Sequence, residues 1–210
     1  MEHDEPQARQ QGLRARGAER TRTNILAAAR QHLIAAGYRN LSLEQVAADA
    51  DVTRVTIYRK FGNKLGLLDA VAEDLSQQAG LVAGMHAAAT LDDPVAAFRE
   101  MVSELCRFWS TDPDLFRRLI SLSAGDPEAH QVISSREQWR FDQATLFVTR
   151  LAEADRLRRP FDTDTAAAAV GATTSFTTCD EIAIRLHLSH DQLDKLLLAL
   201  LHGVVRLDEY

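Results

Sequence analysis

Three aspartate–proline pairs mark where helices begin in this sequence: Asp93-Pro94, Asp112-Pro113 and Asp126-Pro127. An aspartate can accept hydrogen bonds from the unpaired N–H groups of a first helical turn, and a proline at the first helical position gives up no hydrogen bond. Ser42 with Gln45 and Ser189 with Gln192 have the spacing of a capping box, which indicates two further helix starts.

The rest of the sequence favours the same fold class. Alternating apolar and polar runs are absent, as are Asn-Gly or Asp-Gly hairpin turns, so nothing indicates strands. We therefore predict an all-α chain of about nine helices, at residues 20–36, 43–49, 53–60, 63–88, 93–110, 113–122, 127–155, 162–187 and 190–207. Residues 1–18 are polar and aperiodic, and we expect them to form a disordered basic arm.

The charge is distributed unevenly along the chain. The net charge is −6, yet residues 1–64 hold 11 basic and 7 acidic residues, while the remainder holds 13 and 23. A basic segment on an acidic body is typical of a protein that binds a polyanion through one part only.

Other features limit the class of protein. The longest uncharged stretch has 15 residues and includes five threonines, so it is too short and too polar to span a bilayer. The first residues are charged rather than apolar, and we expect a cytoplasmic protein. Cys106 and Cys179 both lie in apolar-periodic stretches, where two buried core thiols are the first interpretation and a redox switch the second.

Residues 42–61 carry the most specific pattern. Leu43, Val46, Ala47 and Ala50 form the inward face of a short helix, a tight turn follows at residues 50–52, and Thr53 begins a second short helix. This is the pattern of a helix-turn-helix, whose second helix enters the major groove of DNA. The segment 53–60 has three cations and no acid, and its predicted exposed residues are Arg54, Val55, Thr56, Tyr58, Arg59 and Lys60.

The spacing of motifs from Ile25 to Leu68 closely resembles the DNA-binding domain of TetR-family regulators. The motifs are Ile25-Leu-Ala-Ala-Ala, Gly37-Tyr38, Leu41-Ser-Leu-Glu-Gln-Val-Ala47, Val52-Thr-Arg-Val-Thr-Ile-Tyr-Arg-Lys-Phe61-Gly-Asn-Lys64 and Leu67-Leu68. The resemblance covers about 45 residues. Asp51 stands where the family usually has glycine, and Lys60 where histidine is common. Aspartate tolerates the left-handed conformation, so we expect the turn to survive.

The resemblance implies a role for individual side chains. Thr53 and Thr56 would meet DNA at the recognition helix, Tyr58 and Lys64 would contact phosphates, and Arg22 and Thr23 would contact the backbone from the first helix. With the exposed face and Ser42, the DNA-binding set is Arg22, Thr23, Ser42, Thr53, Arg54, Val55, Thr56, Tyr58, Arg59, Lys60 and Lys64. The arginines of the arm, at positions 9, 14, 16 and 20, would either reach a minor groove or belong to a solubilising tail.

We expect three segments: the arm at 1–18, the DNA-binding domain at 19–63, and an effector-binding and dimerisation domain at 64–210. The last helix is apolar over most of its circumference, which predicts burial on two sides. The resemblance implies a homodimer through the helices at 162–187 and 190–207, and hence a palindromic operator.

A small-molecule effector pocket is implied mainly by the resemblance. Aromatic side chains with a few polar groups suit such a site, and the candidate lining residues are Met101, Leu105, Cys106, Trp109, Phe116, Trp139, Gln143, Phe147, Thr173, Phe176, Thr177 and Asp180. Each of these residues also fits an ordinary helical core or a solvated face.

Other function classes find little support. No His-Glu-x-x-His motif occurs, and His187 and His190, three positions apart, lie on either side of the helix break predicted at Ser189. No phosphate-binding loop or nucleophile motif occurs either, so we expect no enzyme, metal site or cofactor. The interpretation is a DNA-binding regulator, with repression by occlusion of an operator as the first hypothesis. A regulator that activates, and a helical adaptor whose basic part binds an acidic protein, remain alternatives.

Overall fold

The computed structural model describes the backbone of residues 5–208 and the side chains of residues 15–208 other than Asp191. That part of the chain contains eleven helices and no strand, which confirms the all-α prediction. The helices are α1 (Glu5–Ala36), α2 (Leu43–Asp49), α3 (Arg54–Phe61), α4 (Lys64–Ala79), α5 (Leu81–Ala89), α6 (Pro94–Trp109), α7 (Pro113–Ser123), α8 (Pro127–Glu153), α9 (Thr163–Thr173), α10 (Phe176–Leu186) and α11 (His190–Leu201). Within these described residues, no helix is both long enough and apolar enough to cross a membrane.

The helix starts predicted at the three aspartate–proline pairs are confirmed. The Asp93 carboxylate accepts hydrogen bonds from the N–H groups of Val95 and Ala96, both at 3.1 Å. Pro113 and Pro127 are the first residues of α7 and α8. Local hydrogen bonding therefore fixes where these helices begin.

Two long predicted helices are each interrupted, which raises the count from nine to eleven. The helix expected at 63–88 breaks at Gly80, whose φ of +68° ends α4 before α5 begins. The helix expected at 162–187 breaks before Ser175, whose hydroxyl accepts from the N–H of Thr178 and so caps a new helix. Apolar periodicity continues across both interruptions, and it therefore predicted single helices.

The expectation of a disordered arm at residues 1–18 is wrong from residue 5 onward. The first helix begins at Glu5 and runs for 32 residues without interruption. Alanine and arginine favour helix, and extending an existing helix avoids the cost of nucleating a new one. Residues 1–4 lie outside the described part of the chain.

The chain divides into two compact units. The first unit runs up to Asp74 and also takes in Arg118–Val132, and the second comprises Leu75–Arg117 and the chain from Ile133 onward. The division differs from the boundary expected after residue 63, because residues 64–74 and 118–132 both join the helix-turn-helix. Fully buried side chains of the first unit include Ile25, Leu33, Val46, Ile57 and Leu67.

Helix α6 lies at the centre of the second unit, where it packs against α5, α10 and α11. Its buried residues include Phe98, Met101 and Leu105. The indole N–H of Trp109 donates to the carbonyl of Thr174 at 2.9 Å, which ties the end of α6 to the end of α9. This polar contact within the core fixes the position of the Trp109 ring.

Candidate nucleic-acid interface

The turn between α2 and α3 has the geometry of a Schellman motif. The N–H of Val52 donates to the carbonyl of Ala47 at 2.9 Å, and the N–H of Asp51 donates to that of Ala48 at 3.2 Å. Asp51 has a φ of +51°, so it occupies the left-handed position of this motif, as predicted. The turn therefore keeps its geometry with aspartate where glycine is usual.

Thr53 sets the start of α3. Its hydroxyl oxygen accepts from the N–H of Thr56 at 3.2 Å, and the two threonine hydroxyls lie 3.0 Å apart. Ser42 does the same for α2, accepting from the N–H of Gln45 at 3.4 Å. Of the DNA-contact set, Ser42 and Thr53 thus have a structural task as helix caps.

The outer face of α3 is exposed and basic. Val55 is 74% exposed, Tyr58 is 40% exposed, and Arg59 also lies at the surface. No acidic residue occurs in α3. A convex helical surface with cations, a hydroxyl and methyl groups has the chemistry needed to meet phosphates and base edges in a major groove.

Arg54 is held by two neighbours. Its guanidinium donates to the Tyr58 hydroxyl at 2.7 Å and forms an ion pair with Glu44 of α2. The hydrogen bond to Tyr58 raises the pKa of Arg54, and the Glu44 carboxylate adds to the effect. Because Glu44 neutralises part of this charge, a phosphate must compete with it for the guanidinium.

Several predicted contact residues are engaged within the first unit. The Lys60 ammonium donates to the carbonyl of Ala18 at 3.3 Å, and the Arg22 guanidinium lies 5.6 Å from the centre of the Phe61 ring. The Thr23 hydroxyl donates to the carbonyl of Glu19 at 3.1 Å. Lys60 and Arg22 thus join α3 to α1 and would have to turn outward to reach DNA, whereas the exposed Thr23 bonds within α1.

Lys64 also points into its own unit. Its ammonium donates to the carbonyl of Arg39 at 2.9 Å and lies 4.6 Å from the centre of the Tyr38 ring. Burial lowers the pKa of Lys64, an effect that the carboxylates of Asp126 and Glu128 oppose. In this conformation Lys64 fastens the start of α4 to the end of α1.

Sequence reasoning missed the residues that join α3 to α4. A Cβ atom on Gly66 would lie 2.0 Å from the carbonyl oxygen of Phe61, so only glycine fits there. The Asn63 side chain accepts from the N–H of Gly66 at 2.8 Å, which caps α4. The sequence did contain an indication of this close approach, because Gly66 lies inside the helix predicted at 63–88 and an isolated glycine within a helix often has a packing reason.

The arginines of the expected arm are only partly described. Arg16 and Arg20 lie on the exposed surface of α1. The side chains of Arg9 and Arg14 lie outside the described residues. The proposed minor-groove contact therefore stays a prediction.

The second unit contains a cavity of about 220 Å³ between α6, α10 and α11. Four of the predicted pocket residues line it: Cys106, Trp109, Phe176 and Asp180. The Asp180 carboxylate accepts two hydrogen bonds from Arg117, at 2.7 and 2.8 Å. The lining continues into α11 through His190 and Leu193, a part of the chain not included in the predicted set.

The other predicted pocket residues lie outside this lining. Met101, Leu105 and Phe147 are fully buried in the core, and Phe116 packs edge-on against Trp109 with ring centres 4.9 Å apart. The remaining four lie nearer the surface: Trp139, Gln143 and Thr173 are half-buried and Thr177 is exposed. Sequence reasoning also missed Arg140, a buried cation that donates to the carbonyl of Gly171 at 2.8 Å.

A helix-turn-helix with an exposed basic second helix defines a class of DNA-binding regulators. Residues 25–71 match the family model described as bacterial regulatory proteins, tetR family. The HTH-type transcriptional regulator YvkB of Bacillus subtilis is 39% identical over 62 residues, which cover 30% of this chain and 33% of that protein. An HTH-type transcriptional regulator of Haemophilus influenzae is 28% identical over 146 residues, covering 68% of this chain and 66% of the other.

A solved structure extends the likeness to the fold of the whole chain. NalD, the secondary repressor of the MexAB-OprM multidrug efflux pump in Pseudomonas aeruginosa, superposes with a TM-score of 0.69 at 24% identity. The superposition covers 90% of this chain and 98% of NalD. Residues 25–71 therefore form a DNA-binding helix-turn-helix of the TetR type, and the comparisons support a TetR-family transcriptional regulator. The chain matches a third of the length of YvkB and about two thirds of the length of the Haemophilus protein.

Proposed function

We propose that this chain is a homodimeric repressor that binds a palindromic operator and leaves it when a small-molecule effector binds the second unit. The observation that carries the proposal is the exposed face of α3, where Val55, Tyr58 and Arg59 project from a helix without acids. Repression would follow from occlusion of the promoter by the bound dimer.

We expect different side chains of α3 to contact different chemical groups of the DNA. Val55, with its methyl groups exposed, suits the C5-methyl group of thymine, and Arg59 suits a phosphate or a guanine edge. Arg54 and Tyr58 would act together, because each already hydrogen-bonds to the other. In this proposal Val55 contributes to sequence choice and Arg59 to affinity.

The dimer is supported by apolar side chains that the single chain leaves uncovered. Ile184 and Leu186 of α10 are 51% and 57% exposed, and Leu200 of α11 is 54% exposed. Large apolar groups on neighbouring helices are typical of a surface that a second subunit covers. A two-fold dimer would place two α3 helices about one turn of DNA apart.

The effector is supported by the cavity in the second unit. Trp109 and Phe176 give it aromatic walls, and the paired Arg117 and Asp180 give it a polar edge. A ligand there would release DNA only by binding the DNA-incompetent state more tightly than the DNA-bound state. An operator-release screen with small aromatic compounds tests this part separately.

The central test is binding of labelled DNA from upstream of the chain's own gene, followed by fluorescence anisotropy at several salt concentrations. We expect Arg59→Ala to weaken binding and to lower the salt slope by about one ion. The control is Arg206→Ala, which removes an exposed arginine of the second unit that belongs to neither α10 nor α11. The proposal would be contradicted if both variants changed DNA affinity equally, or if binding did not depend on DNA sequence. A reporter gene under the same promoter distinguishes repression from activation.

A further inference from the structure

The two cysteines of the sequence lie side by side in the second unit, although one belongs to α6 and the other to α10. Both thiols are buried, with Cys106 0% and Cys179 1% exposed. The two side chains are close enough for Cys179 to raise the pKa of Cys106. Both also line the cavity of about 220 Å³, which gives a small ion a route to them.

The number of ligands decides which ion this pair can hold. Within the described residues, no three or more His, Cys, Asp and Glu side chains are placed to share a metal ion. Zinc sites in proteins use three or four protein ligands, whereas soft cations such as Cu(I) are selected by sulfur. We propose that Cys106 and Cys179 form a two-coordinate site for a soft d10 cation that accepts linear coordination, such as Hg(II) or Cu(I).

Binding is a balanced exchange of protons for metal. Each thiol loses its proton to solvent, so one cation and two thiols give one bis-thiolate complex and two protons. With Hg(II) the complex is neutral, and with Cu(I) it carries one negative charge. The interaction with Cys179 and burial raise the pKa of Cys106 well above its usual range.

The surroundings favour the neutral complex. Trp109, Phe176 and Leu193 give the cavity apolar walls, which stabilise a guest without net charge. The Asp194 carboxylate acts on Cys106 electrostatically, and its Oδ1 atom is buried without a hydrogen-bond partner. A negative charge at this place opposes the anionic Cu(I) complex more than the neutral Hg(II) complex.

The test uses the full chain, reduced and then freed of reductant under argon, and titrated separately with HgCl₂, a Cu(I) salt and ZnCl₂. We expect one Hg(II) or Cu(I) per chain to survive gel filtration with about 100-fold excess glutathione, because two thiols on one chain act at high effective concentration. Zinc should be lost. Cys106→Ser and Cys179→Ser should each lose the soft metal, whereas Ser110→Ala, which alters the same cavity lining, should retain it.

Two further results bear on the inference. Asp194→Asn should strengthen Cu(I) binding several-fold more than Hg(II) binding, since only the Cu(I) complex is charged. Three results would overturn the site: a single-cysteine variant that retains the metal, a stoichiometry of half an ion per chain, or retention of zinc. If the serine variants fail to fold, alanine variants take their place. Because no measurement here uses DNA, failure of the site would leave the proposed repressor function untouched.

Discussion

At the scale of single residues, two positions shape the DNA-binding turn. Asp51 adopts a left-handed conformation at the end of α2, and Gly66 brings α4 against the carbonyl of Phe61. The first was foreseen, because the family resemblance places glycine at this corner and aspartate tolerates the left-handed conformation. The second was not, because the contact involves the backbone of another helix and leaves no periodic pattern.

Replacing Asp51 by glycine should stabilise the protein. Glycine adopts a φ of +51° without the steric cost that a Cβ atom brings, a difference of about 1 kcal/mol. Urea denaturation at pH 7 measures the change in the free energy of unfolding. Asp51→Ala is the comparison, because it keeps the Cβ atom and should be less stable than the glycine variant. A glycine variant less stable than the original chain would show that the aspartate side chain stabilises the turn.

Gly66→Ala should destabilise the first unit. The new Cβ would lie 2.0 Å from a backbone oxygen, which no side-chain rotation can relieve, so we expect a loss of about 1–3 kcal/mol and weaker operator binding. Gly17→Ala is a matched control, since a Cβ at position 17 of α1 meets nothing within 4 Å. That variant should gain about 0.5–1 kcal/mol. Similar denaturation midpoints for the two variants would contradict the close approach.

At the scale of elements, the end of α1 is joined to the start of α8 by polar contacts within the first unit. The Tyr38 hydroxyl donates to Glu128 at 3.1 Å, and the Arg39 guanidinium donates to the carbonyl of Gly125 at 2.5 Å. The family motif includes Tyr38, but the hydrogen-bond partner of its hydroxyl, Glu128, lies 90 positions later in the sequence. Pairings of that separation cannot be inferred from periodicity in a single sequence.

This contact predicts a pH dependence. Burial and the hydrogen bond to Glu128 raise the pKa of Tyr38 to about 12. A group whose folded-state pKa is raised stabilises the fold fully below its unfolded pKa, near 10, and loses that contribution as the pH rises toward 12. Tyr38→Phe should therefore cost about 1–2 kcal/mol at pH 7.

The gap between Tyr38→Phe and the original chain should shrink between pH 10 and about 12. Chemical denaturation in steps over that range measures it. Glu128→Gln keeps an acceptor but removes the charge, so it should retain part of the hydrogen bond. A gap that stays constant to the highest pH would show that the Tyr38 hydroxyl does not titrate with folding.

Helix boundaries show what local sequence determines. Asp93 and Ser42 begin helices as predicted, because capping depends on a few adjacent atoms. The breaks at Gly80 and Ser175 were missed because apolar residues continue on both sides of each break. The cavity was foreseen only in part, since its wall in α11 depends on how distant helices pack.

At the scale of the whole molecule, the proposed homodimer can be tested by changing an exposed apolar residue of α11. Leu200→Glu would bury a charge twice in a symmetric interface, and we expect the dissociation constant of the dimer to rise about 100-fold or more. Sedimentation velocity at micromolar concentration measures this. Leu91→Glu is the control, because Leu91 is also exposed, at 40%, but belongs to neither α10 nor α11. A dimer that tolerates Leu200→Glu would place the interface elsewhere.

The composition of the first unit has a consequence for recombination between relatives. Arg118–Val132 supplies Leu122, Gly125 and Glu128 to a DNA-binding unit whose helix-turn-helix ended more than fifty positions earlier. An exchange of DNA specificity made with a single crossover after α3 would therefore leave these partners behind. A chimera with three crossovers takes both segments of the first unit from the donor. It should have the donor's operator preference and should remain as thermally stable as the parent proteins. Two separate stretches of the gene must therefore be exchanged together to transfer DNA recognition.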